Sequence, residues 1–315
     1  MLPVLTITLN PALDLTTSVA GMVPLRKLRC AAPRFDPGGG GINVSRAIRE
    51  LGGESHAFVA VGGHTGAQLR DLLNRSGLQL EYWPLVGETR ISVTIMDEEK
   101  AVPYRFLLPG PTVSAFEADA ILEQIAAHIR RYTGYVVASG SLPPGIPDDF
   151  YARLARRTRE LGGRFVIDTH GLPLRLAAEE RPYLIRLNHL EAQELVGGEA
   201  DAAAHELAGQ LVQRQLAEIA IVTIGERGAI LSTPGRQLEI RPPKVAVKSG
   251  VGAGDSYVAA LVFALASGWP LEEAARYGVA AAAAAVTTEA TELCKREVVD
   301  AFYAQIGGLQ ARPAA

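Results

Sequence analysis

From Ala118 onward the sequence repeats one unit: a helical stretch, a short apolar run, then a polar break. Ala118, Ile121, Leu122, Ile125 and Ile129 fall at helical spacing. Tyr135 to Ala138, Phe165 to Ile167, Tyr183 to Ile185 and Ile219 to Ile224 read as buried strands, each followed by Gly, Pro, Asn or Asp. Such alternation dictates an α/β fold with a mainly parallel sheet and helices on both faces. Ligands on such sheets bind beyond the C-terminal ends of the strands, so the polar breaks are where a site is expected.

Two segments depart from this rhythm. Leu13 to Phe35 carries little helical pattern, and Arg90 to Met96 alternates Ile91, Val93 and Ile95 with polar partners. After a turn at Asp97 to Lys100, the alternation resumes with Val102, Tyr104, Phe106 and Leu108. Together these stretches, about 13–35 and 88–108, predict a small antiparallel sheet set apart from the main one. Its apolar face must be covered. A lid over a site or a partner subunit would each do so.

Composition narrows the function classes. Lys and Arg number 31 against 34 Asp and Glu, a net charge of −3, so no global field draws nucleic acid or an anionic membrane. Cys30 and Cys294 are the two cysteines, too few for a disulfide framework or a zinc site, which fits a reducing cytoplasm. The chain opens on the strand-like Val4 to Leu9 without a basic leader, and its apolar runs Tyr257 to Ala266 and Val279 to Val286 are too short to span a bilayer. A soluble cytoplasmic protein is expected. The six histidines show no ligand spacing and read as structural.

Four constellations could carry chemistry. Val251-Gly252-Ala253-Gly254-Asp255-Ser256 follows the strand-like Lys244 to Val247 and opens a helix. Small residues there let backbone N–H groups reach an anion at a positive helix end, with the Asp255 carboxylate beside it. Asp255 as a plain helix N-cap fits the spacing equally well. Pro37-Gly38-Gly39-Gly40-Gly41-Ile42-Asn43 exposes backbone before another helix, yet matches neither a P-loop nor a dinucleotide fingerprint, and a flexible loop is the alternative. The missing fingerprint after the first strand also argues against a nicotinamide dehydrogenase. Asn188 and Glu191 could position a hydrated Mg²⁺, or form only a capping box. Thr223, Gly225 and Gly228 suit either a nucleotide or a hairpin turn.

In this order the pieces resemble the ribokinase-like (PfkB-type) sugar kinases over nearly the whole chain: Asp14, the glycine run, the lid strands, Asn-x-x-Glu and Gly-Ala-Gly-Asp. Lys27 to Pro33, Pro37 to Ala47, Tyr104-Arg105-Phe106, Ser139 to Gly145 and Thr291 to Cys294 are similar to the minor bacterial 6-phosphofructokinase branch. The resemblance implies a ribokinase-like three-layer sandwich, one kinase domain over 1–315, and phosphorylation of fructose 6-phosphate by ATP with Mg²⁺. Asp255 would be the general base, with the amides of Gly252, Ala253 and Gly254 stabilising the transferring phosphoryl group. Asp14, Gly39, Gly40 and Asn43 would hold sugar hydroxyls, and Arg90, Arg105 and Ser139 the sugar's phosphate. Arg186, Thr223, Gly225 and Gly228 would face ATP, Asn188 and Glu191 would organise Mg²⁺, and Lys27 would meet a second, inhibitory ATP. A homodimer through the lid and activation by potassium are implied as well.

Kinases for fructose 1-phosphate and tagatose 6-phosphate, the nearest alternatives, usually carry a lysine where this chain has Gly39 or Gly40. A non-catalytic sugar-phosphate or nucleotide sensor is the alternative outside enzymes. It is suggested by departures from the family pattern: Arg186-Leu187 for Lys-Pro, Ser249-Gly250 for a Thr, and Thr288 and Ala290 for Asn and Gly. These departures bear on rate, potassium activation and inhibition by ATP.

Overall fold

The computed structural model describes residues 1–132, 134–197, 202–289 and 291–307. The chain starts with β1 (Val4–Thr8), β2 (Ala12–Val19), β3 (Arg34–Gly38), α1 (Gly40–Glu50), β4 (His56–Gly62) and α2 (Gly63–Asn74). Three strands follow, β5 (Gln79–Leu85), β6 (Arg90–Asp97) and β7 (Val102–Leu107), then α3 (Ala115–Arg131). The alternating half holds β8 (Tyr135–Ser139), α4 (Phe150–Glu160), β9 (Arg164–Asp168), α5 (Gly171–Glu179) and β10 (Leu184–Asn188). It continues through α6 (His189–Val196), α7 (Ala204–Gln213) and β11 (Ile219–Thr223). A hairpin of β12 (Ala229–Thr233) and β13 (Arg236–Ile240) leads to α8 (Ala253–Ala266), α9 (Leu271–Ala285) and α10 (Arg296–Gln305).

Nine strands form the main sheet in the order β13-β12-β11-β10-β9-β8-β1-β4-β5. All pairings from β5 across to β11 are parallel, and the β12–β13 hairpin closes one edge antiparallel. Alternation along each strand feeds two cores. Leu5, Ile7, Val136, Ala138, Ile185 and Leu187 pack on the layer containing α3 to α7. Val4, Tyr135, Val137 and Leu184 pack on the layer containing α1, α8, α9 and α10. Strands with apolar residues on both faces are what a sheet between two helical layers requires. Helix α8 is apolar nearly all round because α9, whose alanine run permits close approach, covers its outer side.

The small sheet runs β3-β2-β6-β7. Its outer pairings are antiparallel, as expected, but β2 and β6 pair in parallel. A parallel pair needs a long crossover, and the chain makes it through α1, β4, α2 and β5. Directly paired residues share a face, so the register sorts this sheet into two chemistries. Asp14, Asp36, Arg90, Ser92, Thr94 and Arg105 fall on one face, and Leu13, Leu15, Phe35, Ile91, Val93, Ile95 and Phe106 on the other.

Besides the parallel β2–β6 pair, the structure corrects two further sequence readings. Lys244 to Val247 is an exposed connection, not a strand, because Pro242 and Pro243 cannot donate to a ladder and Val247 points to solvent. The glycine run is no loop: α1 begins within it, at Gly40. Among the histidines, His128 pairs with Glu81, His205 with Glu239, and His56 stacks on Tyr132. Among the described residues no helix is long and apolar enough to cross a membrane.

Candidate active site

Four neighbouring parallel strands end in polar residues: Ser139 on β8, Asp168 on β9, Asn188 on β10 and Thr223 on β11. The register sets Ser139 beside Asp168 and Asn188 beside Thr223, so they form a row along one edge of the core. Helix α8 brings its N-terminus to this row. Its N-cap Gly252 has φ 74°, a left-handed turn that a side chain would strain.

Asp255, in the first turn of α8, is held at both oxygens. Asn43 Nδ2 donates to Oδ2 at 2.9 Å and Ser139 Oγ donates to Oδ1 at 3.2 Å. Burial and the nearby Asp168 charge push the Asp255 pKa up to about 6, against the pull of the Asn43 bond, Arg186 and the Ser139 bond. A carboxylate tuned upward but still ionised near neutrality is matched to accepting a proton there. Asp255 is not the N-cap that its spacing allowed: Gly252 takes that position, and the carboxylate stands one turn inside the helix start.

The glycines bring Asn43 into place. A Cβ on Gly40 would collide with Ser139 Oγ, and one on Gly41 with the Ile7 carbonyl oxygen. The start of α1 thus lies hard against the ends of β1 and β8. A single turn of helix then carries Asn43 to Asp255.

Arg186 lies beneath the Gly252–Gly254 turn. Its Nη1 sits 3.3 Å from Asp168 Oδ1, its Nη2 donates to Thr223 Oγ1 at 2.9 Å, and its Nε has no hydrogen-bond partner among the described residues. A Cβ on Gly254 would come within 2.7 Å of its guanidinium. Asn188 and Glu191 do form a reciprocal capping box on α6, with bonds of 2.9 and 2.8 Å. Burial raises the Glu191 pKa, and the Asp168 charge adds to it. Among the described residues no cluster of three acidic, His or Cys groups forms a metal cage. Oxygen donors near crowded negative charge suit a hydrated Mg²⁺, which takes one or two carboxylates and completes its shell with water and phosphate.

The polar face of the small sheet supplies Asp14, Arg90 and Arg105. Burial pushes the Asp14 pKa up to about 6, with Arg90 and Arg105 pulling it down and Asp36 adding repulsion. Arg90 Nε also donates to the Asn10 carbonyl at 3.2 Å. Thr223 closes β11 with Gly225 in the 3₁₀ turn of the β11–β12 hairpin; Gly228, at φ 98°, abuts the Ile240 carbonyl, a packing reason for that glycine. Lys27 lies apart, on the exposed connection between β2 and β3.

Comparison with known proteins decides the family. The pfkB family carbohydrate kinase pattern matches residues 7–297. The chain belongs to the PfkB family of carbohydrate kinases. It is 39% identical over 302 residues to the ATP-dependent 6-phosphofructokinase isozyme 2 of Mycobacterium tuberculosis, covering 95% of this chain and 88% of that one. It is 32% identical over 302 residues to the 1-phosphofructokinase of Bacillus subtilis, covering 96% and 97%. The crystal structure of Escherichia coli phosphofructokinase-2 in complex with fructose-6-phosphate superposes with a TM-score of 0.90 at 34% identity, covering 98% of this chain and all of that one. This PfkB kinase is a phosphofructokinase-type, ATP-dependent sugar-phosphate kinase with the ribokinase-like fold.

In this kinase the departures from the family pattern have plain settings. Nothing lies within 4 Å of the point a Cβ on Gly250 would occupy, and the Thr288 hydroxyl donates to the carbonyls of Ala285 and Glu292. Ala290 lies outside the described residues. Sequence reasoning passed over Asp168, Arg46 and Asp36. Asp168 had a signal, since it closes a buried strand as Asn188 does. Arg46 lies within the Pro37 to Ala47 resemblance, which attached no role to it, and Asp36 had no signal, because only the meeting of α1 with β3 makes them neighbours of the site.

Proposed function

We propose that the chain phosphorylates fructose 6-phosphate to fructose 1,6-bisphosphate in the cytoplasm, with Asp255 as general base. The observation that carries this reading is the carboxylate at the α8 N-terminus, gripped by Asn43 and Ser139 beside the amides of Gly252, Ala253 and Gly254. The acceptor hydroxyl oxygen attacks the γ-phosphorus, the bond to the β,γ-bridging oxygen breaks, and ADP leaves. Asp255 receives the hydroxyl proton. The amides of the turn, with Arg186 beneath it, stabilise charge on the phosphoryl oxygens. Thr223, Gly225 and Gly228 line the nucleotide side in this reading, and Lys27 answers to a second ATP. Asn188 and Glu191 hold the hydrated Mg²⁺, which neutralises phosphate charge when bound. Potassium activation through the loop carrying Thr288 belongs to the same reading.

Asp14, Gly39, Gly40 and Asn43 face the sugar, and Arg90, Arg105 and Ser139 its phosphate. A sugar phosphate must lie near anionic ATP, so cations are needed at the end remote from the reaction. The glycine run supports fructose 6-phosphate: at Gly40 a side chain would strike Ser139, which leaves no space for the lysine of the other kinases. Kinship with a 1-phosphofructokinase keeps fructose 1-phosphate as the second reading. The test is kcat/KM for fructose 6-phosphate, fructose 1-phosphate, tagatose 6-phosphate, fructose and ribose. Fructose 6-phosphate is expected to lead, and Arg90→Ala to raise its KM at least tenfold more than that of ATP, on the order expected for a lost charge-assisted bond. Preference for an unphosphorylated sugar would overturn the arginine argument, and preference for fructose 1-phosphate the glycine argument alone.

The chain works in this reading as one kinase domain whose lid is the four-stranded sheet, paired as a homodimer. Ile91, Val93, Ile95 and Phe106 share one face of β6 and β7, where Val102 and Phe106 are exposed and Leu108 follows at the end of β7, an apolar surface that a second copy would cover. Light scattering at micromolar concentration should give twice the chain mass. A fully active monomer would refute the pairing.

A further inference from the structure

Asp255 is oriented by Asn43, and Asn43 has a second partner. Arg46 lies three residues further along α1, on the same helix face, half-buried. Its Nη1 donates to Asn43 Oδ1 at 3.3 Å and to the Pro37 carbonyl at 3.2 Å. The Asn43 amide is thus bonded at both ends: its oxygen to a guanidinium that can only donate, its nitrogen to a carboxylate that can only accept. Rotating that amide by half a turn would break both bonds at once. We infer that Arg46 is a positioning residue for phosphoryl transfer, fixing the Asn43 amide so that its N–H groups, and not its carbonyl, meet Asp255.

The surroundings keep Arg46 available for this. Asp36, the acidic group with most influence on it, is already engaged, accepting from Arg34 Nε at 2.7 Å and from Thr291 Oγ1 at 2.8 Å. Thr291 belongs to the connection between α9 and α10, so the clasp also ties β3 to the segment behind α8. Arg46 is anchored through Pro37 to the same strand and reaches from it to Asn43. Asp14 and Glu50 add attraction and Arg34 repulsion at Arg46; at Asp255 the facing groups are Asp168, Arg186, Asn43 and Ser139.

This role rests on Asp255 being the base, and it predicts a protonation signature. A donated N–H favours the ionised carboxylate, whereas a turned amide would favour the protonated one. Loss of Arg46 should therefore raise the pH at which kcat falls on the acid side. Two variants, Arg46→Met and Arg46→Lys, are compared for kcat, both KM values, the pH profile of kcat and thermal melting. Arg46→Met is expected to lose roughly ten- to hundredfold in kcat, the scale of a displaced catalytic group. Its acid limb should move up by about half a pH unit or more, with both KM values nearly unchanged. Arg46→Lys, which keeps the charge and one donor, should fall between Arg46→Met and the wild type on both readouts. If Arg46→Met does not fold, Arg46→Lys decides alone. A wild-type acid limb in the folded variant, or a rise in sugar-phosphate KM without change in kcat, overturns the role. Asp255→Asn run alongside separates the two ideas: an active Asp255→Asn sinks the base itself, whereas an inactive one beside an unmoved Arg46 limb sinks only the positioning.

Discussion

Asp255→Asn should lower kcat by about 10²- to 10⁴-fold, the usual contribution of a general base, while leaving KM for ATP and sugar phosphate within about threefold. The substitution keeps size and removes only the site for the proton. The amides of the Gly252–Gly254 turn, Arg186 and the lid arginines stay in place, so binding should survive. The wild-type profile carries an independent check. With the Asp255 pKa near 6, the carboxylate loses its capacity to accept a proton as pH falls through that value, so kcat should fall on the acid side and level off above about 7. A variant retaining a tenth of wild-type turnover, or one whose acid limb matched the wild type's, would remove Asp255 from the role of base.

The second large effect is expected at a residue that touches no substrate in this reading. Gly41→Ala should destabilise the protein, although helix propensity alone favours alanine by about 1 kcal/mol. A Cβ there would strike the Ile7 carbonyl oxygen and Thr8 Oγ1, backbone and strand end that cannot step aside. Helix α1 would have to lift off the sheet, at a cost of roughly 1–3 kcal/mol, which lowers Tm by several degrees in a chain of this size. Asn43 is two residues further on, so the bond to Asp255 should stretch and kcat should fall as well. Gly250→Ala serves as the control: nothing lies within 4 Å of its Cβ position, and stability should change by less than about 0.5 kcal/mol. A Gly41→Ala protein that melted at or above the wild-type temperature would mean the helix is not pinned in this way.

Both effects come from tertiary contacts that the sequence only hinted at. Asn188 and Glu191 show how spacing leaves a choice open: the capping box is real, and it occupies only part of each side chain's bonding capacity. Thr223 and Gly228 belong to a true hairpin, yet Thr223 also anchors the arginine beneath the Gly252–Gly254 turn. A structural reading borne out at a strand end leaves the functional reading of the same motif open. Lys244 to Val247 misled because strand propensity is local, whereas its exposure follows from prolines that end the preceding edge strand.

The sequence by itself determined the parallel sheet, the two helical layers, the separate small sheet and the identity of Asp255, Asn43, Arg90 and Arg105 as residues to watch. These follow from periodicity, from punctuation after strands and from the order of motifs along the chain, all of which act over a few residues at a time. Only the tertiary structure decided that β2 and β6 pair in parallel, that Ser139 meets Asp255, that Asp168 and Arg186 face the same carboxylate, and that Arg46 reaches it through Asn43. Such neighbours are separated along the chain by whole strands and helices. What brings them together is the burial of two apolar faces on one sheet, which sets the strand ends and helix N-termini against one another without leaving a mark in any local pattern.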